Sequence, residues 1–434
     1  MSFRGKLWVM VLSGAIAVYA VIGGLPFIGN VLNANAQQPV NDAGAQLRIV
    51  ESVLQHIQND YVDDPNMEKV RVGALRGLAN GLDPYSSFLT ADQVKEYQAG
   101  KAITKTSIGA EFSQVSGFLY VISVIKGGPA EKAGLKSGDV IEYIDTKASR
   151  DVSLYDATQL VSGATGTTVA LRVLRAGEKP QTIKVTRGTY TVPKAESRME
   201  GGKIGVVKVY SLEEGESADI KAQVIGLQKQ GAAKIILDLR GVAGGKLDEA
   251  ANVANLFIKD GSLATIVGRE NKPTKTFAAD PAKVIFDGEA AILINLSTAG
   301  ASEAIASAFL GRKRGEVVGE RTFGMGTEQQ LFTLKSGDGL LLTVAKWASP
   351  NGTPFLGEDK ATMGVKPSVE VKRPDTPEPL DIESLGDGPT QPNPGATPTP
   401  TATPKPKVAP VLEDIQLKKA LEILVGAATA AKAG

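Results

Sequence analysis

The chain has 434 residues and carries 48 Lys and Arg against 47 Asp and Glu, with no cysteine and one histidine. This length allows two or three domains, the balanced charge gives no reason to expect nucleic-acid binding, and the lack of cysteine excludes disulfides and a cysteine nucleophile. A zinc site would need His or Cys ligands, so we expect no metal and no other cofactor.

The N-terminus is typical of an exported protein. Arg4 and Lys6 precede an apolar run from Leu7 to about Ile28, and Ala34-Asn35-Ala36 follows, as at the A-x-A end of a secretory signal. The pattern predicts a cleaved signal peptide or an uncleaved membrane anchor over residues 1–36, and the length of the run favours the anchor. In both cases we expect the remaining chain in the periplasm or on the extracytoplasmic face of the inner membrane.

Residues 42–100 are predicted to form a helical segment. Apolar residues three and four apart predict one helix from Leu47 to Tyr61 and a second from Met67 to Leu82, which Asp83-Pro84 ends. The single histidine, His56, falls in the first helix. A Ser-His-Asp triad would have to use it as its base, and we interpret it instead as a residue of the helix surface.

Residues 103–189 change to short strands separated by glycine turns, with helices at Ala130–Ala133 and Leu154–Val161. Strands that outnumber helices within so short a segment predict a compact, partly open barrel. This segment is the first of two expected globular domains.

The second expected domain, residues 190–372, alternates apolar strands with helices. Continuous apolar runs such as Ile235–Leu239 and Ala290–Leu296 predict buried strands, so the fold class is α/β (α+β over the whole chain) with a mainly parallel sheet. Residues 373–410 are rich in Pro and Thr and indicate a linker. Residues 411–434 then hold a C-terminal amphipathic helix.

The first domain resembles a PDZ domain of the kind found in exported proteases. Gly109-Ala110-Glu111-Phe112 and the run G-G-P-A-E-K-A-G-L-K-S-G-D-V-I from Gly127 to Ile141 carry the resemblance. It implies that a peptide tail adds as a strand beside Ile108, Gly109, Ala110, Glu111 and Phe112, with loop N–H groups holding its carboxylate. The alternative is a PDZ-shaped spacer without a ligand.

The chain as a whole resembles the carboxyl-terminal processing peptidases, or tail-specific proteases, from about residue 45 to 425. Six segments carry this resemblance in order along the chain: L-D-P-Y-S-S-F-L from Leu82, I-I-L-D-L-R-G-V-A-G-G from Ile235, A-G-A-S-E-A from Ala299, V-V-G-E-R-T-F-G-M-G-T from Val317, G-V-K-P-S-V-E-V from Gly364, and D-I-Q-L-K-K-A-L-E-I-L from Asp414. The resemblance implies a serine peptidase with a Ser nucleophile and a Lys base.

Two of the implied catalytic residues differ from the family pattern. The family's S-A-S-E segment reads Gly300-Ala301-Ser302-Glu303 here, so the nucleophile position holds Gly300. Its F-G-K-G segment reads Phe323-Gly324-Met325-Gly326, so the base position holds Met325. A thioether cannot take the proton from a nucleophile, and a lysine without a nucleophile would only add a desolvation cost.

Other implied site residues are present. Gln329 matches the family's lysine-orienting Gln, and Gly244, Gly245 and the amide of Ala301 match its oxyanion donors. Gly244 and Gly245 belong to a segment that superficially suggests a phosphate-binding loop. Because that segment lacks the G-x-x-x-x-G-K-[ST] spacing, we interpret it as a tight turn before a helix.

These residues lead to three hypotheses. The first is a non-catalytic relative that binds C-terminal tails or unfolded segments, and that acts as an adaptor or regulates an active paralogous peptidase. The second is an active endopeptidase with Ser302 as a displaced nucleophile, which would need a base such as Lys313 or Lys346. The third is a structural envelope protein assembled through the linker and terminal helix.

Overall fold

The computed structural model describes residues 43–100, 106–201, 203–358, 362–373 and 413–430. The chain divides into two compact units, Met1–Gly73 and Ala74–Gly434. The predicted signal or anchor over residues 1–36 and nearly all of the predicted linker lie outside the described residues. In those that are described, no helix combines the length and the apolar character that crossing a membrane requires.

The first unit contains helix α1 (Ala43–Asp60) and the start of α2 (Met67–Asn80), which continues into the second unit. Both helices were predicted, with α1 starting four residues earlier and α2 ending two residues sooner than expected. Within α1, His56 Nδ1 lies 2.6 Å from Asp60 Oδ2 in an exposed pair one turn apart. His56 is thus a surface residue, as predicted.

The second unit contains most of the described structure. Its further helices are α3 (Ala91–Gln98), α4 (Pro129–Lys132), α5 (Leu154–Val161), α6 (Glu216–Lys229), α7 (Leu247–Asn255), α8 (Ala301–Gly311) and α9 (Ile415–Ala430). Its strands are β1 (Ser87–Leu89), β2 (Ala110–Val115), β3 (Phe118–Val124), β4 (Val140–Ile144), β5 (Lys147–Ala148), β6 (Thr168–Leu174), β7 (Gln181–Thr186), β8 (Glu196–Glu200), β9 (Ile204–Lys208), β10 (Lys234–Asp238), β11 (Ser262–Val267), β12 (Pro273–Ala278), β13 (Glu289–Ile294), β14 (Gly315–Gly319), β15 (Thr327–Thr333), β16 (Gly339–Ala348) and β17 (Val369–Glu370).

The PDZ-like part is an antiparallel sheet in the order β2-β3-β4-β6-β7, with β5 beside β4. Alternate residues of β6 are buried because successive side chains of a strand point to opposite faces. The buried face packs on α5, which Ser153 starts by accepting the Asp156 N–H at 3.1 Å. Strand β2, the expected partner of a peptide tail, lies at the edge of this sheet.

The central sheet has the order β17-β14-β13-β10-β9-β8, and every pair is parallel except β8 with β9. Its strands are apolar on both faces because α6, α7 and α8 cover one face and α9 covers the other. The predicted fold class is confirmed. Since β10 and β13 are parallel neighbours, the loops that follow them meet at one edge of the sheet.

A third sheet joins β1, β16, β11 and β12, with β15 paired to β16. The β15–β16 hairpin was predicted, although both strands run longer than expected. The β11–β12 pair was not predicted. Five of the six residues of β12 are exposed, so that strand lacks the buried apolar face by which a strand is usually recognised.

Candidate active site

Three loops meet above the carboxyl end of the central sheet. The loop after β10 carries Gly244 and Gly245, the loop after β13 carries Gly300, and the segment before β15 carries Met325. Backbone hydrogen bonds connect the loops, since Ala301 N–H donates to Gly244 O at 3.1 Å. The fold thus gathers the predicted nucleophile, oxyanion and base positions at one place.

Gly300 precedes α8 with φ 69° and ψ −121°, a backbone conformation that glycine adopts easily and other residues rarely do. A Cβ atom added to Gly300 would lie 3.1 Å from Gly244 O and 3.2 Å from Met325 Cε. The Met325 methyl group therefore lies next to the position that the Cβ atom of a side chain at residue 300 would take.

Met325 is 9% exposed and belongs to an apolar cluster that links the PDZ-like sheet to the site. The cluster joins it to Ala299 and to Phe118, Tyr120 and Ile122 of β3. Beside it, the rings of Tyr120 and Phe323 stack with their centroids 5.6 Å apart. The predicted base position is thus apolar, and the PDZ-like sheet packs directly on it.

Two serine contacts accompany this apolar cluster. Ser123 of β3 donates to Gly241 O at 2.6 Å, and the hydroxyls of Ser137 and Ser297 are hydrogen-bonded to each other. Each bond joins a PDZ-like residue to one of the site loops, so specific hydrogen bonds connect the two parts of the second unit at the site.

Glu303 connects the loops from below. It is fully buried, and its carboxylate oxygens accept hydrogen bonds from the Gly300 N–H at 2.7 Å, the Gly324 N–H at 2.9 Å, the Met325 N–H at 2.8 Å and the Thr322 hydroxyl. Burial raises the pKa of Glu303 to about 7, although the four donors favour the ionised form. Glu303 therefore fixes the predicted nucleophile loop to the predicted base loop.

The predicted oxyanion donors lie in a turn that depends on glycine. Gly244 and Gly245 have φ values of 74° and 84°, and a Cβ on Gly245 would lie 2.8 Å from the Leu212 side chain. The Ala301 N–H is occupied by Gly244 O in this conformation. An oxyanion role for that amide remains a prediction, and it would require the bond between these two loops to open.

Glu111, predicted to border the peptide groove, also reaches the site. Its Oε2 atom would lie 3.6 Å from a Cβ added to Gly244. Burial, reinforced by the nearby charge of Glu213, raises the pKa of Glu111 to about 7. The strand expected to receive a peptide thus directs a carboxyl group at the predicted oxyanion turn.

Ile108 and Phe112 of the predicted groove are buried in the PDZ-like core, where they pack with Leu154, Ala157 and Val161. The carbonyl of Gly109 accepts the Ile125 N–H at 2.9 Å. Among the described residues, β2 pairs with β3 alone. Its second edge borders α5, as the resemblance to a PDZ groove implies.

Gln329 and Ser302 take part in local hydrogen bonds. Gln329 Nε2 donates to Thr327 Oγ1 at 2.6 Å and lies 3.4 Å from Thr343 Oγ1. Ser302 is fully buried, and its hydroxyl lies 2.8 Å from Val242 O and 3.0 Å from Ala299 O. Within the described ranges, no three His, Cys, Asp or Glu side chains gather in a way that would hold a metal ion.

Glu303 was not singled out from the sequence, although a signal for it exists. It is the one charged residue in the apolar segment A-S-E-A-I-A-S-A-F-L from Ala301, and it stands three residues after Gly300, the position from which a carboxylate reaches back to the start of a helix. The contact of Glu111 with the site had no such signal, because it depends on how two domains pack.

Comparison with known proteins agrees with this architecture. Residues 203–371 match the model of peptidase family S41, and residues 106–186 match that of the PDZ domain. A probable CtpA-like serine protease of Staphylococcus aureus (strain MRSA252) is 32% identical over 85% of this chain and 73% of its own length. The carboxy-terminal processing protease CtpA of Bacillus subtilis (strain 168) is 30% identical over 85% of this chain and 78% of its own length.

Among solved structures, a photosystem II D1 C-terminal processing protease superposes with a TM-score of 0.62 at 28% identity, covering 78% of this chain and 96% of that one. This likeness covers more than three quarters of the chain. Together with the sequence matches, it establishes that the chain belongs to the carboxyl-terminal processing peptidase family.

Proposed function

We propose that this chain is a catalytically inactive member of its family that binds protein C-terminal tails or unfolded segments. The observation that carries the proposal is the pairing of Gly300 with Met325 at the predicted nucleophile and base positions. Gly300 offers no nucleophile, and Met325 offers no group that accepts a proton in catalysis. A Cβ atom at residue 300 would lie only 3.2 Å from Met325 Cε, so a serine there would require the methionine to shift slightly.

The hydrogen bonds of Ser302 argue against a displaced nucleophile. Its hydroxyl faces two backbone carbonyls and has no described contact with a lysine. Lys313 follows the far end of α8, roughly 16 Å along the helix at about 1.5 Å per residue. Lys346 Nζ lies 3.3 Å from Leu356 O. An attack by Ser302 would require both the serine and a base to leave these positions.

The retained PDZ-like sheet supports a binding role. Strand β2 keeps an edge position beside α5, and that geometry suits the addition of an extended peptide as a further strand. Export to the periplasm and anchoring through residues 1–36 belong to the same proposal, and they rest on the N-terminal sequence pattern. Regulation of an active paralogous peptidase is the partner role that this proposal favours.

The test compares the full chain with its Gly300→Ser/Met325→Lys double variant in cleavage of an unstructured protein that has an apolar C-terminus. We expect the natural chain to be inactive and the double variant to cleave slowly, because a serine at φ 69° costs about 1–3 kcal/mol of strain. Each single variant serves as a matched control and should be inactive, since one member of a dyad does not suffice.

Binding is measured in parallel by titrating both proteins with a labelled peptide that has an apolar tail. Cleavage by the natural chain that is abolished in a Ser302→Ala variant would reject the proposal and favour the displaced nucleophile. Saturable peptide binding without cleavage is the expected outcome. Absence of both activities would instead favour a structural role.

A further inference from the structure

The segment that leaves the PDZ-like sheet passes over the loop expected to hold a peptide carboxylate. After β7, the buried guanidinium of Arg187 donates to Val161 O at 2.9 Å and to Leu160 O at 2.8 Å, at the end of α5. These bonds satisfy carbonyls at the helix terminus and fix the course of the segment. Three residues later, Tyr190 lies against the loop of residues 107–110.

The contact between Tyr190 and this loop is close. A Cβ atom added to Gly109 would lie 3.3 Å from Tyr190 Cε1 and 3.4 Å from Cζ, so the ring packs directly over the glycine backbone. The Tyr190 side chain also lies close enough to Ser107 to influence the pKa of the tyrosine hydroxyl. Ser107 Oγ in turn accepts the Gly109 N–H at 3.3 Å. One of the loop's amides is therefore already occupied within the chain.

We propose that Tyr190 is a built-in cap on the tail-binding loop, and that a peptide α-carboxylate gains access to the Gly109 amide only when Tyr190 and Ser107 release it. This inference rests on the tail binding proposed above and adds a mechanism that controls it. Tyr190 belongs to the segment that connects the PDZ-like sheet to the central sheet. Release of the cap therefore also rearranges this connecting segment.

The expected change in peptide affinity depends on the fraction of molecules in which the loop is open. If one molecule in about ten is open, the apparent dissociation constant is about tenfold weaker than that of an uncapped loop. Tyr190→Ala should therefore bind a tail about tenfold more tightly. Tyr190→Phe keeps the ring that covers Gly109, and it should therefore gain less affinity than Tyr190→Ala.

The experiment uses the full chain and a fluorescein-labelled ten-residue peptide with an apolar C-terminus, as the free acid and as the C-terminal amide. The matched control is Tyr143→Ala, which removes a half-buried tyrosine of β4 whose ring lies 5.9 Å from the Arg172 guanidinium, away from the loop. Anisotropy should show tighter binding of the free acid by the Tyr190 variants, and affinity unchanged within about twofold for the control. Thermal unfolding confirms that all variants are folded.

A second readout follows Tyr190 itself in protein labelled with 3-fluorotyrosine, with its ¹⁹F signal assigned through Tyr190→Phe. The signal should move when the free acid binds. Equal affinity of the natural chain and Tyr190→Ala, or binding without movement of the signal, overturns the cap and leaves the proposed function standing. An equal gain for acid and amide also overturns the cap. Absence of binding by every folded variant overturns both.

Discussion

Replacing Glu303 by glutamine tests whether one buried carboxyl holds the two site loops together. In the natural chain each carboxylate oxygen accepts two hydrogen bonds, Oε1 from Thr322 and Gly324 and Oε2 from Gly300 and Met325. An amide has one oxygen, so its NH₂ group must face two of these donors. Each buried donor without an acceptor costs about 1–3 kcal/mol, so we expect a loss of roughly 2–6 kcal/mol.

The loss of stability in Glu303→Gln should depend on pH, and the burial of the carboxyl determines whether it grows or shrinks as the pH rises. The pKa of Glu303 is raised from 4.5 to about 7 by burial, so the stability that its protonated form contributes is complete below pH 4.5 and is lost as the pH rises through 7. At about 1.4 kcal/mol per pH unit, the change amounts to about 3 kcal/mol. Glutamine does not titrate, so the difference between the natural chain and Glu303→Gln should be about 3 kcal/mol larger at pH 5 than at pH 8.

Urea unfolding followed by circular dichroism at pH 5, 6, 7 and 8 measures this difference. Ser307→Ala is the matched control, because Ser307 is buried one turn further along α8 and its hydroxyl donates to the Ala304 carbonyl at 3.0 Å. Its effect should stay near 1 kcal/mol at every pH. A Glu303→Gln loss that does not vary with pH would mean that the four donors keep the carboxyl ionised, and that the argument from burial is wrong.

Three further predictions concern the interface and the C-terminal helix. Glu111→Gln should flatten the fall in melting temperature between pH 5 and 8, because the raised pKa of Glu111 makes its stabilising contribution disappear as the pH rises through 7. Ser137→Cys/Ser297→Cys should form a disulfide on mild oxidation, seen as a mobility shift on non-reducing gels, because the two hydroxyls are in contact and the chain has no other cysteine. Arg240→Ala should cost about 3–5 kcal/mol in urea unfolding, because it leaves Asp238 buried without its main partner.

Each of these predictions has a matched control. Glu142→Gln alters another half-buried carboxyl of the PDZ-like sheet, one that is paired with Arg172, and it is the control for Glu111→Gln. The two single cysteine variants should show no shift. Arg198→Ala removes an exposed ion pair with Glu200 and should cost under about 1 kcal/mol. Equal losses of stability in Arg240→Ala and Arg198→Ala would refute the prediction that the buried Arg240–Asp238 pair matters more than the exposed pair.

Arg240 also shows how the C-terminal helix is attached. Its Nη1 and Nη2 atoms each lie 2.8 Å from a carboxylate oxygen of Asp414, directly before α9, and its Nη2 lies 2.8 Å from Asp238 Oδ2. These contacts hold the pKa of Asp414 below its usual range, mainly through the hydrogen bonds from Arg240 that outweigh its partial burial. Helix α9 is thus attached to the central sheet by the Arg240–Asp414 ion pair as well as by apolar packing.

The sequence predicted the central sheet well, because its signals are local. Continuous apolar runs marked β10 and β13 as buried strands, and their alternation with helices indicated a mainly parallel sheet. The exposed β12 had no such signal. Neither did the contact between Tyr120 and Phe323, which pairs residues from two separately predicted domains.

Site residues were predictable where family motifs fixed them, and less so where packing decides their role. The positions of Gly300 and Met325 came from the motifs, and the structure adds that a Cβ atom at residue 300 would lie 3.2 Å from Met325 Cε. Glu303 could have been found from its charge within an apolar helix. The proximity of Glu111 to Gly244, and the cover that Tyr190 forms over Gly109, could be found only from the three-dimensional arrangement of the chain.

Because residues 300 and 325 are close, we expect the effect of changing one to depend on the other. A serine alone would place its Cβ 3.2 Å from the Met325 methyl group, which would have to move within a cluster that also packs the PDZ-like sheet. A lysine alone at residue 325 would bring an ammonium group into that apolar cluster without a nucleophile to serve, and burial would cost it its charge. Under the proposed function, a serine–lysine dyad at these positions would therefore require both changes together, with adjustment of the cluster that also packs the PDZ-like sheet.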